Sequence, residues 1–173
     1  KLFKDQVIFA KKEVTKDDGK PYTVYTPFKN KWLKKFVAEN DLKEHPINVE
    51  NYHRSDFKIP DRLELGLFES KIKVVEYSFE DIDNYEETRN FPSMNKTSHL
   101  SPHLRFGTLS VREVAKEALK NTVFLSEIIW REFFMQIMYN FPKVVDHNFK
   151  AKYDAVPWRN NEEEFEKWKL GET

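Results

Sequence analysis

Thr122 to Pro142 reads T-V-F-L-S-E-I-I-W-R-E-F-F-M-Q-I-M-Y-N-F-P, and this stretch decides the fold. It is long enough for about five turns at roughly 3.6 residues each. Thr122 can cap its start and Pro142 stops it. Phe124, Leu125, Ile128, Ile129, Trp130, Phe133, Phe134, Ile137 and Met138 cover most of its circumference. A helix apolar nearly all round belongs inside a protein. Yet it carries Glu127 and Arg131 one turn apart, with Trp130 beside them, and charge on a buried helix is costly unless paired or used. Two readings fit: an i,i+4 ion pair that fixes the helix, or a polar, aromatic-lined pocket built on a rigid core element.

Upstream, two helix starts lead into this core. Ser110-Val111-Arg112-Glu113 is a capping box opening a helix to Lys120. Before it, Asn95-Lys96-Thr97-Ser98-His99-Leu100-Ser101-Pro102 ends in Ser-Pro, a helix start, and Gly107 closes that short helix. Hydroxyls at a helix N-terminus can hold a phosphate; they also commonly do no more than cap. His99 and His103 are four apart, but no third ligand follows at metal spacing. Ser78, with Asp81 three residues on, predicts a helix carrying Ile82, Tyr85 and Arg89 and ending before Pro92. Taken alone, Tyr85 reads as packing and Arg89 as a solvated charge.

Further out, residues 40–78 lose periodicity. His45-Pro46 and Ile59-Pro60 break the pattern, which predicts a long surface connection with a short helix near Arg62–Leu65. His45 and His53 read as solvated side chains. Phe28, Trp32, Leu33 and Phe36 repeat at helical spacing, predicting a helix that Thr26-Pro27 opens and that runs to about Glu39. Lys4 to Phe9 and Tyr22-Thr23-Val24-Tyr25 read as strands, with Asp17-Asp18-Gly19-Lys20 as the turn between. Downstream of Pro142 the chain is charged and aromatic. Asn161–Leu170 suits a helix with Phe165 and Trp168 on one face, ended by Gly171.

Composition narrows the class. The 173 residues hold 29 basic and 29 acidic side chains, so no global field attracts nucleic acid, although a local basic face remains open. Fifteen Phe, seven Tyr and four Trp favour a bulky core or a stacking site for flat rings. There is no Cys, hence no disulfide frame and no thiolate metal site. No run is long enough to span a membrane and no signal peptide is visible, so a cytoplasmic location is expected. The chain starts at Lys1, as a segment of a longer protein would.

In series, these motifs resemble the DNA photolyase/cryptochrome family. The carrying residues are Tyr85 with Arg89, T-S-H-L-S-P-H-L-R-F-G (97–107), L-S-E-I-I-W-R-E-F-F (125–134), Val156-Pro157-Trp158, and Phe165, Trp168 and Gly171. Pro21 to Pro27 looks like the end of that family's N-terminal α/β antenna domain. The resemblance implies a mainly α fold: 1–39 as the end of the antenna domain with a small β remnant, 40–78 as an interdomain linker, and 79–173 as the start of the helical FAD-binding domain. It implies FAD held by Tyr85, Thr97, Ser98, His99, Leu100, Ser101, Phe124 and Arg131. It implies DNA contact by Arg89, Glu127, Trp130 and Arg131, with Glu127 and Trp130 meeting a cyclobutane pyrimidine dimer flipped from UV-damaged DNA. Trp158 matches the outermost Trp of an electron relay.

The implied activity is that of a light-dependent lyase: reduced FAD splits the dimer by photoinduced electron transfer. Glu127 favours the dimer-repairing, class I type. Phe124 departs from the pattern, standing where a Trp is often found. The family continues past Gly171 and precedes Lys1 with most of an antenna domain, so the chain is expected to be an internal segment holding about half of a flavin pocket. The parent would be a monomer with a second antenna chromophore of folate or deazaflavin type. Two alternatives stay open: a cryptochrome-type flavin photoreceptor without repair activity, and a non-catalytic helical interaction module.

Overall fold

The computed structural model describes residues 4–43, 48–54 and 56–172, and among them the chain is helical with no strand. His45, in the breaking His45-Pro46 pair, lies outside the described residues. Seven α-helices follow in order: α1 (Tyr25–Lys35), α2 (Ala38–Asp41), α3 (Tyr85–Thr88), α4 (Leu100–Phe106), α5 (Val111–Ala118), α6 (Thr122–Asn140) and α7 (Glu162–Leu170). Short 3-10 turns lie at Val49–Asn51, Ile82–Asn84, Pro142–Val145 and Ala151–Tyr153.

α6 is the axis. Its N-cap is Asn121, not Thr122: the Asn121 side-chain oxygen accepts from Val123 N–H and Phe124 N–H, both at 3.0 Å. Asn outranks Thr at this position, and its amide N–H₂ also reaches the Ile82 carbonyl at 2.9 Å, tying α6 to the preceding 3-10 turn. α1, α3 and α5 pack against α6. The buried face of α6 holds Phe124, Leu125, Ile128, Ile129 and Phe133, with Glu132 and Gln136 among them. Its other side is open: Phe134, Met138 and Tyr139 are exposed. The all-round apolar pattern therefore buries one face here.

The expected strand at Lys4–Phe9 is not formed, and the reason is local. The amide N–H groups of Ile8 and Phe9 donate to the Glu132 carboxylate at 2.7 and 3.1 Å, and the Phe9 carbonyl accepts from Gln136 Nε2 at 3.2 Å. Arg131 Nη1 donates to the Gln6 carbonyl at 2.7 Å, and Arg112 reaches the Val7 carbonyl at 3.2 Å. Side chains of α5 and α6 thus satisfy the backbone groups that a sheet neighbour would otherwise satisfy. Ile8 and Phe9 then bury their own side chains beside Phe28 and Trp32 of α1. The Asp17–Lys20 turn forms as expected, with Gly19 at φ 77. Tyr22–Tyr25 does not extend as a strand because Tyr25 is already the first residue of α1.

Other boundaries move for similar reasons. α1 starts one residue before Thr26 and ends at Lys35, where Phe36 turns extended (ψ 127) and α2 begins afresh at Ala38. The helix expected from Ser78 starts later, as a 3-10 turn and then α3; the Asp81 carboxylate is taken by Lys96 at 2.7 Å instead of closing a capping box. Residues 62–66 make a turn rather than a helix, with Asp61 accepting from Leu63 N–H and Glu64 N–H. α4 begins at Leu100, ahead of the Ser-Pro pair, and ends on Gly107 at φ 69. α5 has Ser110 as its cap, as the motif requires, and stops at Ala118. α7 matches its expected span, capped by Asn161 and ended by Gly171 at φ 76.

Candidate functional site

The candidate site grows from the first half of α6. Glu127 is one turn above the buried Phe124 and half exposed. Its Oε1 accepts from Arg89 Nη1 at 2.6 Å, so the acid's partner is Arg89 just past α3 and not Arg131 as spacing suggested. The Arg89 guanidinium also lies 5.5 Å from the Tyr85 ring centroid, within cation–π reach. Hydrogen bonding to Glu127 raises the Arg89 pKa further, which keeps it a fixed cation. Burial, followed by the nearby Glu127 charge, raises the Tyr85 phenol. Tyr85 in turn meets Phe124 edge-on at 4.9 Å.

That edge-on pair is one wall of a shallow cleft lined by Ser78, Asp81, Ile82, Tyr85, Lys96, Thr97, Ser98 and Phe124. The fold thus gathers four of the expected cofactor residues, Tyr85, Thr97, Ser98 and Phe124, around one opening. Lys96 and Asp81, which the motif reading did not single out as site residues, add an ion pair to the lining. No spacing rule joins residues fifteen apart across a 3-10 turn and α3, so only the fold shows this pair. Beside the cleft, His99 takes a left-handed conformation at φ 51, uncommon for a residue with a Cβ. Its ring nitrogen is 3.3 Å from Asn95 Oδ1. Leu100 is buried in the core and Ser101 is exposed, and neither lines the cleft.

Trp130 is one turn beyond Glu127. Tyr25 of α1 stacks on it with centroids 3.5 Å apart and planes 9° apart; Phe134 is nearly parallel at 5.4 Å. Arg131 turns to the Gln6 carbonyl instead, and burial lowers its pKa. Trp158 stands at the surface, 73% exposed. Glu132, also passed over in the motif reading, is the acid that is truly inside, at 3% exposure. Its three N–H donors, Ile8, Phe9 and the Trp32 indole (2.9 Å), make it a structural hub. Burial raises its pKa, against the pull of those donors. The signal available beforehand was an acid flanked by Ile128, Ile129 and Phe133 on one helical face.

Known proteins resemble this chain in sequence and in fold. Residues 124–173 match the family described as the FAD binding domain of DNA photolyase. Across 199 aligned residues the chain is 31% identical to the deoxyribodipyrimidine photo-lyase of Halobacterium salinarum, covering 99% of this chain and 41% of that protein. It is 29% identical to the Escherichia coli deoxyribodipyrimidine photo-lyase, with 99% and 41% covered. The fold is similar to the crystal structure of a bacterial class III photolyase from Agrobacterium tumefaciens: TM-score 0.70, 24% identity, 96% of this chain and 40% of that one. The chain therefore spans about two fifths of the length of the relatives it matches. The resemblance to DNA photolyases holds over the chain's length in sequence, and the helical architecture is theirs too.

Proposed function

We propose, from this resemblance to the DNA photolyase family, that the chain is part of a light-dependent DNA-repair lyase that splits cyclobutane pyrimidine dimers with FAD. One observation carries the reading. Glu127, Arg89, Tyr85 and Phe124 form a continuous series of contacts from the exposed acid to the wall of the cleft. The residues assigned to lesion and cofactor are thus mechanically joined.

The cleft chemistry fits part of FAD. Lys96, paired with Asp81, offers an N–H donor, Thr97 and Ser98 offer hydroxyl donors, and Tyr85 and Phe124 offer an apolar wall. The cleft is shallow and far too small to enclose a drug-sized ligand. So these residues would hold a phosphate-bearing portion, with the remainder of the pocket supplied by chain outside this segment. When bound and reduced, the flavin supplies the photochemical electron. The protein's own residues position and insulate. Arg89 orients the Glu127 carboxylate as a hydrogen-bond acceptor for N–H edges of the damaged bases. Trp130 offers an apolar plane to bases turned out of the duplex.

The test is Glu127→Gln in the full-length protein. The expected result is a large loss of light-dependent repair of a dimer-containing oligonucleotide with FAD still bound. Unchanged repair would reject the role of Glu127. A wild-type protein that binds FAD and repairs no dimer would point to a photoreceptor instead.

A further inference from the structure

The geometry points to Tyr25 as a residue that positions Trp130, so that the indole presents one open face to an extrahelical base. This rests on the reading of Trp130 given above. Three observations carry it. First, the Tyr25 ring covers one face of the Trp130 indole at van der Waals distance, 3.5 Å and 9° from parallel. Second, Tyr25 is itself fixed. Its hydroxyl is 2.7 Å from the Ser126 carbonyl and 2.6 Å from Ser126 Oγ, and its ring meets Phe133 edge-on at 5.8 Å. Third, Lys29, one turn along α1, donates to the same Ser126 Oγ at 3.1 Å, so α1 grips α6 through two side chains just before Glu127.

Trp130 is itself only partly buried, so part of the indole stays accessible. Phe134 is 5.4 Å away, tilted by 22°, and is itself 57% exposed. A flat apolar guest therefore has that part of Trp130 to use, while Tyr25 holds the indole. A held ring loses less freedom when it stacks than a mobile one. Tyr25 is far from Trp130 in sequence, on the helix outside the matched residues 124–173. It does not line the cleft.

The experiment uses the full-length protein with Tyr25→Leu, Tyr25→Phe and Trp130→Ala. The readout is the ratio of dissociation constants for an undamaged oligonucleotide and the same oligonucleotide carrying one thymine dimer. Flavin content and thermal midpoint are recorded alongside. Tyr25→Leu should lower the ratio about tenfold, within the worth of one base–aromatic stack, with flavin content unchanged. Tyr25→Phe, which keeps the ring and frees it from Ser126, should lower it only about threefold. Trp130→Ala should lower it at least as far as Tyr25→Leu. If Trp130→Ala leaves the ratio intact, the reading of Trp130 fails and this proposal with it. If Trp130→Ala lowers the ratio and Tyr25→Leu does not, Tyr25 has no positioning role and the reading of Trp130 stands. Should Tyr25→Leu not fold, Tyr25→Phe decides: a wild-type ratio overturns the proposal.

Discussion

Replacing Glu132 should be among the most damaging single changes in this chain. Its carboxylate is 3% exposed and accepts three N–H donors, from Ile8 at 2.7 Å, Phe9 at 3.1 Å and the Trp32 indole at 2.9 Å. Glu132→Ala leaves all three without an acceptor. A buried donor without a partner costs about 1–3 kcal/mol, so three cost about 3–9 kcal/mol. Removing a buried charge offsets part of that, as does water entering the vacated space. A net loss of about 3–5 kcal/mol is expected. Glu132→Gln keeps one oxygen but turns an N–H₂ toward at least one donor, and should lose about 1–3 kcal/mol. Urea unfolding followed by tryptophan emission measures both, because Trp32 is fully buried and bonded directly to this acid. At a slope of about 2 kcal/mol per molar, the alanine variant's midpoint should fall by about 1.5–2.5 M. A loss below about 1 kcal/mol for Glu132→Ala would refute the hub described above.

The same acid predicts a pH signature. Its folded pKa lies above the ordinary 4.5, so its contribution is complete below that value and declines as pH rises through the folded value. The stability of wild type relative to Glu132→Gln should therefore be greater at pH 4 than at pH 8; the opposite slope in paired urea titrations would contradict it. Asn121→Ala removes an acceptor shared by two amides and a bond to Ile82, and thermal denaturation should show a loss of about 1–2 kcal/mol. Arg89→Gln breaks a pair whose side chains are 34% and 36% exposed, so stability should change by less than about 1 kcal/mol while repair by the full-length protein falls markedly. The isolated 173-residue chain should bind FAD weakly, since its cleft is small; a stoichiometric yellow complex on gel filtration would contradict that.

What could be read from the residues was mostly what depends on short range. The α6 span, the Ser110 cap, the Gly107 and Gly171 stops and the whole of α7 follow from patterns within a few residues. Partners chosen across the fold were not legible. Spacing assigned Arg131 to Glu127, whereas Arg89, thirty-eight residues away in sequence, takes that acid and Arg131 goes to Gln6. The Lys4–Phe9 segment has strand composition, but composition cannot show that Glu132 and Gln136 occupy its backbone groups. Within the candidate site, Tyr85, Thr97, Ser98 and Phe124 line one cleft. Ser101 and Trp158 stand at the surface, and Leu100 serves the core.

The tether between Ile8 and Glu132 spans 124 residues of chain. A ribosome adding about 5–20 residues per second needs about 6–25 s to make that interval. For most of it, Ile8, Phe9 and the indole of Trp32 have been synthesised while the acid that receives them has not. This stretch must wait, greasy and unaccompanied, until α6 has been made. Chaperone binding to the nascent chain should therefore concentrate on the segment from Ile8 to Phe36 and end once α6 clears the exit tunnel.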